Sequence, residues 1–263
     1  MQFALVPSPV TTQAIASAGA DAICIDLEHG PIDYKDVQAM IASMKGTGSL
    51  PVVRVPSINA VSVKRSLDLG AEGIVFPLAR TASDVATAVS TLHYPPRGER
   101  GFGPFVAHSA HGFDFTSAVA AYEANPPVCC MLIEVCNQPP IYDAEYSSTE
   151  CPTLLARTLA SQTAEAVSNI DEICAVGGVD MFQLAQFDLS TALGVPGQFH
   201  HPTFLEAEQK VEEAVFRHGV PLGAVALTEE RAKVLTSRGY RMVVGFDLLW
   251  LKSAIKAAQS WVQ

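Results

Sequence analysis

None of the six cysteines forms a C-x-x-C pair, so the chain lacks the usual thiol-redox and zinc-ribbon signatures. Four of them lie in apolar strand or helix contexts, which favours buried, reduced thiols in an intracellular, cytoplasmic protein. No apolar run approaches the ~20 residues that a membrane-crossing helix needs. Met1-Gln2 leads into an apolar run with no basic segment or cleavage site, so neither a membrane partner nor a signal peptide is expected. Positive charge is scarce: 17 Lys and Arg stand against 27 Asp and Glu, a net charge of −10. That balance argues against a nucleic-acid surface. It leaves anionic substrates open, because a local arginine or metal ion can invert the field. Gly101-Phe102-Gly103 is too short for a dinucleotide fingerprint and lacks the strand–helix context. What the chain has in plenty is apolar surface. Hydrophobic residues make up 49% of its 263 residues and charged ones 17%, enough for a large core in a single domain, 1–263.

Eight short apolar runs punctuate the sequence, at 3–6, 22–25, 51–54, 73–76, 128–133, 179–184, 221–226 and 242–245. Amphipathic segments lie between them, at 11–17, 34–44, 60–69, 82–92, 164–174, 202–218, 229–237 and 248–262. Strand–helix alternation with fully apolar strands means parallel βαβ units, and eight of these predict an α/β fold, a closed (β/α)8 TIM barrel. Asp33 and Ser83 stand where helix caps belong, and Thr228 opens another helix. Glycines 19, 70 and 239 sit where helices must end before the chain re-enters the barrel.

A barrel displays its chemistry where strands end and loops begin. Three strand ends carry acid here: Ile25-Asp26-Leu27-Glu28-His29-Gly30, Met131-Leu132-Ile133-Glu134 and Phe187-Asp188-Leu189-Ser190. Histidine is the side chain best placed to exchange a proton near neutral pH, and a nearby carboxylate can set its tautomer. Each residue alone also fits a structural role: Glu134 and Arg54 as an ion pair, His29 in a surface loop, Asp188 as a helix N-cap. Their convergence at several strand ends favours a site.

Together these pieces resemble the metal-dependent class II pyruvate aldolases of the HpcH/HpaI type. The resemblance extends to Leu5-Val6-Pro7-Ser8-Pro9, Val52-Val53-Arg54-Val55-Pro56, Tyr94-Pro95-Pro96-Arg97-Gly98-Glu99-Arg100-Gly101 and Leu193-Gly194-Val195-Pro196-Gly197-Gln198. It implies a barrel that assembles as a homo-oligomer, a hexamer. It also implies a divalent cation (Mg2+, Mn2+ or Co2+) held by Glu134 and Asp188, with a 2-oxo acid as substrate. On the same resemblance Arg54 stabilises the enolate of pyruvate, and His29 transfers protons with Asp26 as its orienting partner. The turn at Gln186 and Phe187 binds the substrate carboxylate. The implied reaction is cleavage of a 4-hydroxy-2-oxo acid to pyruvate and an aldehyde. Oxaloacetate decarboxylation and macrophomate-synthase-like chemistry use the same residues and enolate.

Three departures from the family pattern stand out. Leu132 occupies a position that usually holds Gln, and Ala185-Gln186-Phe187 replaces a Gly-Pro-small turn. These changes set up a contrasting expectation, a barrel that folds but does not catalyse. The third departure is the aperiodic stretch 135–162, far longer than the 2–6 residues usual for a βα loop. Excising it joins Glu134 to Thr163 and restores Ile-Glu-Thr-Ala-Glu-Ala-Val-Ser-Asn-Ile-Asp, the usual run into the fifth helix. The stretch begins with Val, whose codons start GT, and ends with Gln, one of whose codons ends AG, the boundary dinucleotides of a spliceosomal intron. It is therefore expected to be a retained intron, with an evolved lid as the alternative. Deleting 135–162 should leave thermal stability and turnover equal or improved, since the closure entropy of a loop grows only slowly with length. An insoluble or inactive deletion variant, or spliced transcripts that mostly keep the segment, would establish a lid.

Overall fold

The computed structural model describes residues 1–103, 105–106, 115–133 and 166–262. The candidate ligand Glu134 and the segment 135–162 lie outside the described residues. Eight parallel strands close into a barrel in sequence order, from β1 through β8 and back to β1. They are β1 (Gln2–Ala4), β2 (Ala22–Asp26), β3 (Leu50–Arg54), β4 (Gly73–Phe76), β5 (Val128–Ile133), β6 (Met181–Leu184), β7 (Leu222–Val225) and β8 (Met242–Phe246). The described helices are α1 (Pro9–Ser17), α2 (Tyr34–Ser43), α3 (Ala60–Asp68), α4 (Ala82–Leu92), α5 (Phe115–Ala124), α6 (Ile170–Cys174), α7 (Gln186–Ala192), α8 (Pro202–Arg217), α9 (Glu229–Ser237) and α10 (Asp247–Gln259).

Alternation along each strand divides the apolar residues into two layers. Phe3, Cys24, Val52, Val75, Cys130, Leu132, Val225 and Val244 fill the barrel interior. Ile23, Ile25, Val53, Ile74, Met131, Phe182 and Leu184 face the surrounding helices, alongside Met40, Val85 and Phe204. Burial pushes the thiol of Cys24 far up and that of Cys130 up to about 12, so both stay protonated inside this core. Among the described residues no helix is long and apolar enough to cross a membrane.

The predicted barrel is present, with local differences that have physical causes. β1 stops at Ala4 rather than continuing to Val6, because the N–H groups of Leu5 and Val6 donate to the Asp247 carboxylate at 3.0 and 3.1 Å. Asp33 caps α2 as expected, in a reciprocal box with Asp36. At α4 the cap is Thr81, not Ser83: its hydroxyl accepts from Asp84 N–H while the Asp84 carboxylate accepts from Thr81 N–H. The expected helix 164–174 is described from 166 and breaks at Asn169 before α6. Helices α5 and α7 were not anticipated. Gly19, Gly70 and Gly239 adopt positive φ of 94°, 105° and 100°, the left-handed helix ends that their sequence positions implied.

Candidate active site

β2 and β3 lie side by side, with Asp26 opposite Arg54 at their C-terminal ends. Cys24 and Val52, two residues earlier, face the interior, so Asp26 and Arg54 face it too. Asp26 is 0% exposed and is gripped by a guanidinium fork. Arg54 Nε donates to Oδ1 at 2.9 Å and Nη2 donates to Oδ2. The guanidinium also lies 5.0 Å over the Phe3 ring, and its Nη1 sits 3.1 Å from Glu28 Oε2. Desolvation works to lower the Arg54 pKa, but hydrogen bonding and attraction from Asp26 and Glu28 outweigh it and raise it, so the charge is fixed.

The loop after β2 winds around the same carboxylate. Asp26 Oδ1 accepts from the N–H of Glu28 at 3.0 Å and of His29 at 3.2 Å, and Gly30 N–H returns to the Asp26 carbonyl at 3.2 Å. Asp26 therefore holds the backbone of His29 and not its ring, which corrects the expected Asp26–imidazole pair. The carboxylate beside the imidazole is Glu28, whose Oε2 lies 3.9 Å from His29 Nε2. The ring itself is 61% exposed and free to meet a ligand above the strand ends. Sequence reasoning gave Glu28 no role, although its place between Asp26 and His29 was the available signal.

Burial raises the Glu28 pKa above its ordinary value; Arg54 and His29 oppose the rise, while Asp26 and Asp188 add to it. That coupling places Asp188 in the same field. Asp188 is exposed in the first turn of α7, immediately beyond β6. It lies inside the helix and is not its N-cap, which is Ala185. Gln186 is buried beside it with no partner for Oε1 among the described residues. The Phe187 ring is 41% exposed and stands edge-on to Phe199 at 5.3 Å, which meets Phe204 at 5.5 Å. Ser190 Oγ donates to the Phe187 carbonyl at 2.9 Å and accepts from Gly197 N–H at 3.0 Å, bracing the turn.

Carboxylates outnumber cationic side chains at these strand ends. Two carboxylates, Asp26 and Glu28, share the Arg54 guanidinium, and Asp188 adds negative charge to the field at Glu28. Asp188 has no cationic partner among the described residues. Among those residues no three His, Cys, Asp or Glu side chains converge as ligands, and Glu134 lies outside them. The remaining conspicuous groups are structural. Arg100 is buried against Asp68 at 2.9 Å and lies over the rings of Tyr94 and Tyr122. His201 caps α8 through Thr203 N–H. A groove of about 730 Å³ lined by Ile41, Lys45, Leu50 and Glu72 lies where β3 begins, at the opposite end of the barrel from these residues.

The model of the HpcH/HpaI aldolase/citrate lyase family matches residues 1–255. The chain belongs to that family. It is accordingly a lyase of the aldolase kind. It is 31% identical over 250 residues to 2-dehydro-3,6-dideoxy-6-sulfogluconate aldolase of Pseudomonas putida, covering 94% of this chain and 85% of that one. It is 31% identical over 253 residues to 5-keto-4-deoxy-D-glucarate aldolase of Escherichia coli K12 / DH10B, covering 96% and 87%. Among solved structures, a family member from Burkholderia cenocepacia J2315 superimposes with a TM-score of 0.83 at 29% identity, covering 99% of this chain and 93% of that one.

Glu28 offers a direct test of these electrostatics. Its folded pKa lies above the ordinary 4.5, so the folded state favours the protonated acid. The stability gained by protonating it is full below the unfolded pKa and is lost as pH rises through the raised folded value. Glu28→Gln should therefore melt higher than wild type near neutral pH, with the difference closing toward about pH 4. Thermal melts across that range check this; a lower neutral melting temperature for the variant would show that attraction to Arg54 outweighs burial.

Proposed function

We propose that the chain is a divalent-metal-dependent aldolase that cleaves a 4-hydroxy-2-oxo acid to pyruvate and an aldehyde. The observation that carries this reading is the surplus of carboxylate around one committed arginine at the C-terminal strand ends. Glu134 and Asp188 would hold the cation, which when bound supplies Lewis-acid polarisation of the 2-oxo acid. Two carboxylates leave most coordination positions to water and substrate, which suits Mg2+, Mn2+ or Co2+.

The chain's own residues perform the other tasks. Arg54 spends Nε and one Nη2 hydrogen on Asp26 and lies beside Glu28 as an ion pair without a hydrogen bond, so its remaining Nη N–H groups are left to donate to a developing enolate oxygen. His29, exposed and beside Glu28, takes the proton of the 4-hydroxyl as the carbon–carbon bond breaks. Gln186 and Phe187 present the first turn of α7 to the substrate carboxylate, and the Phe187 ring walls the pocket. A cytoplasmic setting belongs to the same reading. So does self-association, supported by α10: none of its side chains is buried, and Trp250, Leu251 and Ile255 are exposed on it. Ile255→Glu combined with Leu251→Glu should shift the chain to a smaller species in size-exclusion chromatography with light scattering; an unchanged mass would remove α10 from the contact.

Pyruvate release from a panel of 4-hydroxy-2-oxo acids and oxaloacetate, with Mg2+ or Mn2+ and an EDTA control, tests the activity. Release from oxaloacetate alone favours the decarboxylase, and release from none favours a non-catalytic barrel. Glu134→Gln and Asp188→Asn should each abolish metal-dependent release in folded protein. His29→Ala should lower turnover by roughly 10²–10⁴-fold with metal affinity unchanged. Loss of metal binding in that variant would place His29 among the ligands.

A further inference from the structure

Gln183 is the one polar residue that β6 turns into the barrel. Its neighbours Phe182 and Leu184 face the helices, and Met181 joins the interior cluster, so strand alternation points Gln183 inward. It is 3% exposed, and its Oε1 has no hydrogen-bond partner among the described residues. Such an orphaned amide oxygen is destabilising relative to a satisfied one, so its presence calls for a ligand that supplies the missing donor. Its position suggests which ligand. Gln183 is the register partner of Leu132, the β5 residue at the position where the family resemblance implies Gln. Both lie one step below the strand ends from which Glu134 and the Asp188 turn continue.

We propose that Gln183 is a positioning residue of the cation site, returning from β6 the amide that Leu132 removes from β5. Its Oε1 accepts a hydrogen bond from a water of the cation's hydration shell and so holds the hydrated ion against the two strand ends. The inference rests on the metal-dependent reading above and goes beyond it in naming what replaces the missing β5 amide. It also gives the departure at position 132 a compensation within the same layer of the barrel.

The test separates metal binding from folding by titrating purified full-length chain with Mn2+, followed by electron paramagnetic resonance of the free ion. Gln183→Leu should weaken Mn2+ binding by about 10–100-fold, the usual effect of losing a group that supports a metal site. It should unfold at the same or a higher temperature, because an unpaired amide gives way to an apolar group. Gln183→Met serves the same purpose if the branched side chain packs badly. Gln183→Glu, which keeps the acceptor, should bind at least as tightly as wild type. The double variant Leu132→Gln/Gln183→Leu should recover most of the lost affinity by moving the amide back across the register pair. Wild-type binding of Mn2+ with unchanged affinity in Gln183→Leu would overturn this inference alone. Absence of Mn2+ binding by the wild type would overturn the metal-dependent reading and this inference with it. A Gln183→Leu variant that loses stability and affinity together, without rescue by the double variant, would show a packing role instead.

Discussion

The Asp26–Arg54 pair is the constraint on which the site depends. Breaking a buried pair from one side costs about 3–5 kcal/mol, because the surviving charge is left unsolvated. Here the carboxylate also accepts from two backbone N–H groups, so removing it would release Arg54 and the His29 loop together. The pair thus acts as a rivet through two adjacent strands: it aims the outer edge of the guanidinium and positions the histidine without touching its ring. Asp26 is fully buried behind these bonds, so its contribution is geometric.

Beneath the rivet the barrel interior is largely apolar. Phe3, Cys24, Val52, Val75, Cys130, Leu132, Val225 and Val244 close the interior, and the Phe3 ring forms the floor under Arg54. Asp26 and Glu28 are confined with Arg54 at this end of the barrel, where they feel one another through protein more than through water. The raised Glu28 and the fixed Arg54 are two outcomes of that confinement.

The barrel was legible because eight fully buried parallel strands write themselves as uniform apolar runs with helical periods between. Strand ends shifted only where a tertiary partner intervened, as with Asp247 at Leu5 and Val6. Helix α5 escaped notice because Phe-Thr-Ser-Ala-Val-Ala-Ala-Tyr carries little amphipathic contrast. Helix α7 escaped because the Asp188 turn read as a strand end. Within the site, Asp26, His29, Arg54 and Asp188 were recognisable as residue types at strand ends. Their partners were not: whether Asp26 meets the ring or the N–H of His29 depends on how four residues coil, which composition does not encode. Gln183 is silent in sequence, since its meaning lies in facing Leu132 across a register that exists only once the barrel closes.

Gly30 closes the loop that carries the histidine, and its lack of a side chain has a reach beyond the turn. A β-carbon there would lie 2.5 Å from the carbonyl oxygen of Asp26, a backbone atom at the end of β2 that accepts from the Gly30 N–H itself. No neighbouring side chain can move aside to make room, so the obstruction is built into the wall of the barrel. The three residues between Asp26 and Gly30 therefore work as a fixed-length tether, setting how far the imidazole stands above the strand ends. Variation at Leu27, Glu28 or His29 can alter what this arm carries, while its length is measured by the barrel itself.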